Sequence, residues 1–269
     1  AIDRSDDVAE IEVRFPADLV RPESPYALGA CSAGKRASNG QITDSWGCVW
    51  QVSREGQEEQ IVERPLSDLR NLGKYSPPLE CLKGAKLTKV DRFCEQSHRF
   101  VLAPVEVSPL HWLQQLRGPE LVRKDLESGV KGIRTLLDMV HAFCQAEVGL
   151  WAGSQVDGMV LGDDWGSADG LLVPQEVWRE LFRPLYREYC KTLHDHDKMV
   201  FFRSSGNVTE LLGDMVRMGV DAVHCCFECM DMAKIAQRFR GRIAFWTGSD
   251  CSDILSRGTV AEVREAALR

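Results

Sequence analysis

The stretch Asp157–Asn207, DGMVLGDDWGSADGLLVPQEVWRELFRPLYREYCKTLHDHDKMVFFRSSGN, decides how the rest of the chain is read. It opens with the apolar run Gly158–Leu161, which stops just short of two adjacent carboxylates, Asp163 and Asp164. A loop carrying Gly166 and Gly170 leads to Pro174, where a long helical pattern begins. Phe182, Leu185, Tyr189 and Leu193 recur at the spacing of a buried helix stripe. A second apolar run, Met199–Phe202, ends in Arg203-Ser204-Ser205-Gly206-Asn207. This strand–helix–strand unit has polar groups at the C-terminal end of both strands. Parallel α/β proteins bind ligands at that end, so the chemistry is expected there.

Upstream, Arg99–Val107 is an apolar run bearing Glu106 near its end, followed by helical patterns over Glu120–Glu127 and Gly129–Leu150. Downstream come a helix over Val208–Met218, a strand over Val220–Cys225 and a helix over Asp231–Phe239. A strand over Arg242–Thr247 and a helix opening at Thr259 close the series. Near the start, a weak helix over Val8–Phe15 precedes a short strand, Ala17–Val20. Strands near 17–20, 99–107, 157–162, 199–203, 220–225 and 242–247 thus alternate with helices, the signature of a parallel sheet. Residues 26–90 interrupt that alternation. Thr43–Trp50 reads as one arm of a hairpin, Arg54–Gln57 as its turn and Gln60–Glu63 as the return. Pro65 and Pro77-Pro78 punctuate an irregular connector after it. Trp46 and Trp50 are either a satellite hydrophobic cluster under this loop or an aromatic lid over the mouth.

With 269 residues the chain has room for one α/β barrel of about 250 residues or for two domains, and six strands fit either a barrel lacking its first and last strands in this window or an open sheet. A net charge of −7 without a basic cluster argues against a nucleic-acid surface. No apolar run approaches the roughly 18 residues that span a membrane, and no signal peptide is visible, so a cytoplasmic protein is expected. The ten cysteines include Cys144, Cys190 and Cys225 inside periodic apolar segments, where a thiol acts as a small hydrophobe. That usage fits a reducing compartment better than a short disulfide-stapled domain. No glycine-rich loop has the spacing of a dinucleotide or P-loop fingerprint.

Strand alternation puts Met199, Phe201, Arg203 and Ser205 on one face, pointing Arg203 into the mouth and Phe202 into the helix layer. A guanidinium there can hold a carboxylate or phenolate, or pair with Asp163, Asp164 or Glu228 along the rim; the two roles are compatible. Asp163 and Asp164 point to opposite faces, so at most one is a direct general acid and the other caps the following loop. Glu106, Asp163, Asp164 and Glu228 each end a strand and are the candidates for an acid raised in pKa by burial. His224, Cys226 and Cys229 are either packing or a soft metal site, packing being the commoner outcome for such a strand end. Cys251 is a reactive thiol or a small buried one. Trp165 and Trp246 are candidates for the wall of an aromatic or tetrapyrrole pocket.

Several motifs then coincide: Asp44-Ser45-Trp46-Gly47-Cys48-Val49-Trp50, Gly162-Asp163-Asp164-Trp165-Gly166, Ser205-Gly206-Asn207, Gly219-Val220-Asp221 and Gly248-Ser249-Asp250. In them the chain resembles the uroporphyrinogen decarboxylase superfamily, and within it the corrinoid-dependent methyltransferase branch. The resemblance implies a single-domain (β/α)8 TIM barrel over 1–269, with the first and last strands outside this window. Residues 26–90 would be a hairpin and loop insertion at its mouth. It implies transfer of a methyl group from a small methylated substrate to a corrinoid (cobalamin) carried by a partner protein. Asp163, Asp164, Arg203, Glu106 and Glu228 would be catalytic; Trp165, Ser205, Asn207, Trp246 and Asp250 would bind substrate. The coenzyme M methyltransferases of this superfamily carry His-Ser-Cys-Gly-Asn where this chain has Arg203-Ser204-Ser205-Gly206-Asn207. Arg203 and Ser205 are not usual zinc ligands, so zinc is not expected. The arginine motif of the decarboxylases is not found. The competing expectations are a carboxy-lyase acting on a porphyrinogen and a non-catalytic corrinoid- or tetrapyrrole-binding protein.

Overall fold

The computed structural model describes residues 10, 13–28, 40–51, 60–246 and 257–268. Its strands are β1 (Leu19–Val20), β2 (Gln41–Thr43), β3 (Val49–Gln51), β4 (Gln60–Glu63) and β5 (Phe100–Val107), followed by β6 (Gly158–Gly162), β7 (Met199–Arg203), β8 (Ala222–His224) and β9 (Ala244–Phe245). Six of them form one all-parallel sheet in the order β1-β5-β6-β7-β8-β9. All six strands read from the apolar runs are there, most of them trimmed at their ends. A doubly wound sheet reverses its order about a switch point. Here the order simply follows the chain, so right-handed crossovers put every connecting helix on the same face. That is the build of a barrel wall: a curled parallel sheet with helices outside, compatible with a TIM-barrel-like fold.

The helices are α1 (Leu79–Lys83), α2 (Thr88–Gln96), α3 (Pro109–Arg117), α4 (Pro119–Ser128) and α5 (Lys131–Ala152), followed by α6 (Arg183–His194), α7 (Thr209–Met218), α8 (Met232–Phe239) and α9 (Val260–Leu268). The helical pattern after Pro174 opens as Gln175–Val177 and widens into a π-turn over Trp178–Phe182 before α6 begins. Strand β6 is buried along its whole length, as a strand covered on both faces must be. Phe202 is fully buried and meets Tyr186 of α6 at 5.1 Å, on the helix side as alternation predicts. At the far end of the chain Thr259 and Glu262 form a reciprocal capping box that starts α9.

Four elements differ from the sequence reading. Helix α3 was not anticipated, although Ser108-Pro109 puts proline at its first turn and Leu110, Leu113 and Leu116 form its buried face. Nor were α1 and α2, which lie in the stretch read as irregular connector. Thr43–Trp50 is also not one hairpin arm. Asp44 turns the chain by accepting from the Trp46 and Cys48 amides at 2.9 Å and from Trp50 Nε1 at 2.7 Å. Gly47 completes the turn at φ +83°. The result is a separate antiparallel sheet, β2-β3-β4, whose expected second turn at 54–57 falls outside the described residues. Half of the expected helix over Val8–Phe15 falls outside them too, while Glu10, Val13 and Arg14, which fall inside, are helical.

The buried Trp46 belongs to the main core rather than to a satellite cluster. It stacks on Trp112 at 4.2 Å and meets Phe143 edge-on at 4.6 Å. The chain after β1 is tied to α5 through Tyr26, whose hydroxyl donates to the buried Glu147 at 2.7 Å and accepts from Trp151 Nε1 at 2.7 Å. Burial pushes the Glu147 carboxyl up to about 7. Cys48, Cys144, Cys190 and Cys225 are buried within the core. Among the described residues no helix is long and apolar enough to cross a membrane.

Candidate active site at the C-terminal strand ends

The site begins with a flaw in strand pairing. Pro104 has no amide hydrogen to give the ladder, and the β5–β6 register shifts between Leu102 and Glu106. Past that irregularity Glu106 lies opposite Val160, one residue pair before the end of the β5–β6 ladder. The next residues of the sheet edge, Gly162, Arg203 and His224, are aligned across β6, β7 and β8. Because Gly162 has no side chain, the Glu106 carboxylate occupies that space: a Cβ on Gly162 would lie 2.5 Å from Glu106 Oε2. There Arg203 Nε donates to Glu106 Oε2 at 2.8 Å. Arg203 Nη1 also reaches Asp164 Oδ1 at 3.5 Å, and Arg21, just beyond β1, reaches Glu106 Oε1 at 3.3 Å.

Glu106, Arg203 and Asp164 border a cavity of about 280 Å³ whose wall also includes His111, Trp112 and Asp163. Asp164 is fixed by the Ser205 amide, which donates to its Oδ1 at 3.0 Å, while its side chain stays 55% exposed. His111 and Trp112 come from the first turn of α3. Loss of water around the His111 ring holds its pKa below the usual imidazole value; Asp164 pulls it up and Arg203 pushes it down.

Asp163 faces the other way and is 1% exposed. It accepts from the Leu110 and His111 amides at 2.8 Å each and from the Tyr186 hydroxyl. Those amides are open donors of the first turn of α3, so Asp163 caps that helix from a distant strand. It therefore holds the preceding helix rather than the following loop, contrary to the sequence expectation. Burial pushes its carboxyl up to about 7, against the pull of the three hydrogen bonds.

The remaining candidates separate. Trp165 is fully buried and packs edge-on against Phe182 at 4.7 Å and Trp178 at 6.3 Å, inside the helix layer and away from the cavity. Ser205 contributes its backbone amide to Asp164. The Asn207 side chain caps α7, accepting from the Thr209 amide at 3.1 Å and hydroxyl at 2.7 Å. Between them Gly206 sits at φ +68°, where a Cβ would come within 2.2 Å of the Gly166 backbone. Trp246 is half-buried against Phe201 at 5.6 Å and His224 at 5.4 Å, on the sheet face that also bears Arg203. Glu228 is exposed in the turn Phe227–Cys229 and does not line the cavity. Asp250 and Cys251 lie outside the described residues. Among the described residues no group of three or more His, Cys, Asp or Glu is placed to hold a metal ion.

Fold and site together define an α/β protein with a barrel-wall sheet and a Glu–Arg–Asp cluster at its strand ends. Among solved structures the chain is similar to a methyltransferase from Methanosarcina mazei, with a TM-score of 0.65 and 13% sequence identity. The match covers 97% of this chain and 74% of that one. At that identity it establishes a shared fold. No family model and no curated protein matches the sequence.

Proposed function

We propose that the chain is a (β/α)8-barrel enzyme of the uroporphyrinogen decarboxylase superfamily, of its methyltransferase branch. In this reading it is a single domain that passes a methyl group from a small methylated substrate to a corrinoid carried by a partner protein. The observation that carries the reading is the cavity itself: carboxylates, a guanidinium and an imidazole from three strand ends and one helix converge on about 280 Å³. The shared fold with a protein described as a methyltransferase and the sequence motifs support it.

Cavity size suits methyl transfer from a small substrate. The volume of about 280 Å³ sits just below the ~300–1,000 Å³ range of ordinary ligand pockets. A small substrate fits inside, while a corrinoid would meet it from the mouth. Charge points the same way. Arg203 and Arg21 are already matched by Glu106 and Asp164, so among the described residues of the cavity little surplus cation is left for a polycarboxylate.

The corrinoid, in its cobalt(I) form, would supply the nucleophile that takes the methyl carbon. The chain's own task is the leaving atom, an oxygen or nitrogen that gains charge as the methyl group departs. Arg203, held by Glu106, keeps N–H groups directed into the cavity to stabilise that charge. Asp164 is the cavity carboxyl free enough to exchange a proton with the leaving atom. Asp163 acts at one remove, fixing the helix that places His111 and Trp112. Zinc has no role in this scheme, since Arg203 and Ser205 are not ligands.

The test is to mix the protein anaerobically with cob(I)alamin and a panel of methoxyaromatics, methylamines and betaines. Substrate-dependent loss of the cobalt(I) absorbance is expected with one class. Conversion of uroporphyrinogen to coproporphyrinogen, with no methyl transfer across the panel, would replace this reading by the carboxy-lyase one.

A further inference from the structure

The run His224-Cys225-Cys226-Phe227-Glu228-Cys229 starts at the last residue of β8 and takes no part in the cavity. Its three thiols are not equivalent. Cys225 is 3% exposed, and burial pushes its thiol up to about 12. Cys226 and Cys229 are half-buried, so water and small solutes reach them. The turn Phe227–Cys229 folds the chain back and brings their sulfurs to 3.4 Å. This is a Cys-x-x-Cys pair in van der Waals contact, preformed and open to solvent at the same sheet end as Arg203 and Asp164.

We propose that Cys226 and Cys229 form a dithiol modification site that takes small disulfides and closes into an intramolecular disulfide by exchange. A thiolate of the pair attacks a sulfur of the small disulfide, forming a mixed disulfide and releasing one small thiol. The second protein thiolate attacks the protein sulfur of that mixed disulfide, forming the Cys226–Cys229 bond and releasing the second small thiol. Two protein thiols are oxidised and one small disulfide is reduced to two thiols, so atoms and electrons balance. Closure needs the sulfurs to move from 3.4 Å to about 2.05 Å, a shift within one short turn.

Two features separate this site from a metal centre or a hydrophobic filler. Among the described residues no third His, Cys, Asp or Glu completes a ligand set around the pair. The neighbouring Cys225 already fills the core position on this strand end. The hydrogen bond between the two thiols, together with burial, raises the Cys229 pKa, so exchange should quicken as the medium becomes alkaline. The next strand pair, Arg203–His224, adjoins this turn, so closure stiffens the rim beside the proposed active site.

The experiment treats the reduced, folded full chain with oxidised glutathione under nitrogen, then blocks free thiols, digests and maps peptides by mass spectrometry. A Cys226–Cys229 disulfide is expected, a mass loss of about 2 Da with no retained glutathione. In Cys229→Ser the closing thiol is gone, so Cys226 should instead keep a stable glutathione adduct. Dithiothreitol should reverse both. Free thiols at 226 and 229 in the wild type, persistent glutathione on either, or a disulfide through Cys225 would each overturn the proposal.

Discussion

Asp163 and Asp164 are adjacent in sequence, at one strand end, and have the same side chain, yet their surroundings give them opposite work. Asp163 is sealed beneath α3 and Tyr186, with both oxygens taken by donors of the protein. Asp164 is tethered through one oxygen and remains open to the cavity. The difference comes from strand alternation, which sends consecutive residues to opposite faces of a sheet. One face meets the helix layer, where a carboxylate persists only if donors surround it. The other meets the mouth, where it is free for chemistry. One carboxylate holds the structure and the other stays open to the cavity.

Removing Asp163 should expose that division most strongly. Asp163→Ala leaves two helix amides and a buried hydroxyl without an acceptor, and at 1–3 kcal/mol for each such group a loss of about 4 kcal/mol is expected. Denaturant unfolding would show it, and a loss below about 1 kcal/mol would contradict the capping role. Tyr186→Phe removes only one of the three donors and should cost about 2 kcal/mol on the same measurement.

Gly162→Ala strikes the other side of the comparison. Its methyl group would collide with the flexible end of Glu106, which can swing away, so stability should fall by only about 1 kcal/mol. The Glu106–Arg203 contact would be lost with it, and the methyl-transfer rate should fall by about 10²-fold. Unchanged turnover would remove that contact from the mechanism.

The smallest expected effect is a change of slope. Buried Glu147 titrates near 7 in the folded chain against an ordinary value of 4.5. The folded state therefore keeps a proton that the unfolded state has released between these values, and stability falls as pH rises through that window. Asp163 adds a slope of the same sign from 3.8 to about 7. Glu147→Gln should flatten the fall in unfolding free energy between about pH 4.5 and 7, leaving the Asp163 share. An unaltered profile would mean that Glu147 does not titrate there.

Much of the fold was legible because it depends on local pattern. Six apolar runs ending in polar groups gave six parallel strands. Helix α3 was missed because it follows β5 after a single residue, Ser108, so no loop separates strand from helix. His111 and Trp112 were missed with it; the Ser108-Pro109 start was the available signal. Glu106, Asp164 and Arg203 were legible from their places at strand ends. The Glu106–Arg203 pair was not, because it depends on the register shift at Pro104. Trp165 also escaped, since only the helix layer shows that its indole belongs to the core. Arg21 carries a signal of its own, a basic residue immediately after a strand.

The most direct measurement of the central claim is Asp164→Asn, assayed for methyl transfer to cob(I)alamin and for unfolding in denaturant. Asp164 is half-exposed and its ion pair is long, so stability should change by less than about 1 kcal/mol. The transfer rate should fall by about 10²–10⁴-fold, the size of a general-acid contribution. Wild-type transfer in this variant would contradict the account, and so would a loss of activity that merely tracked a loss of folding.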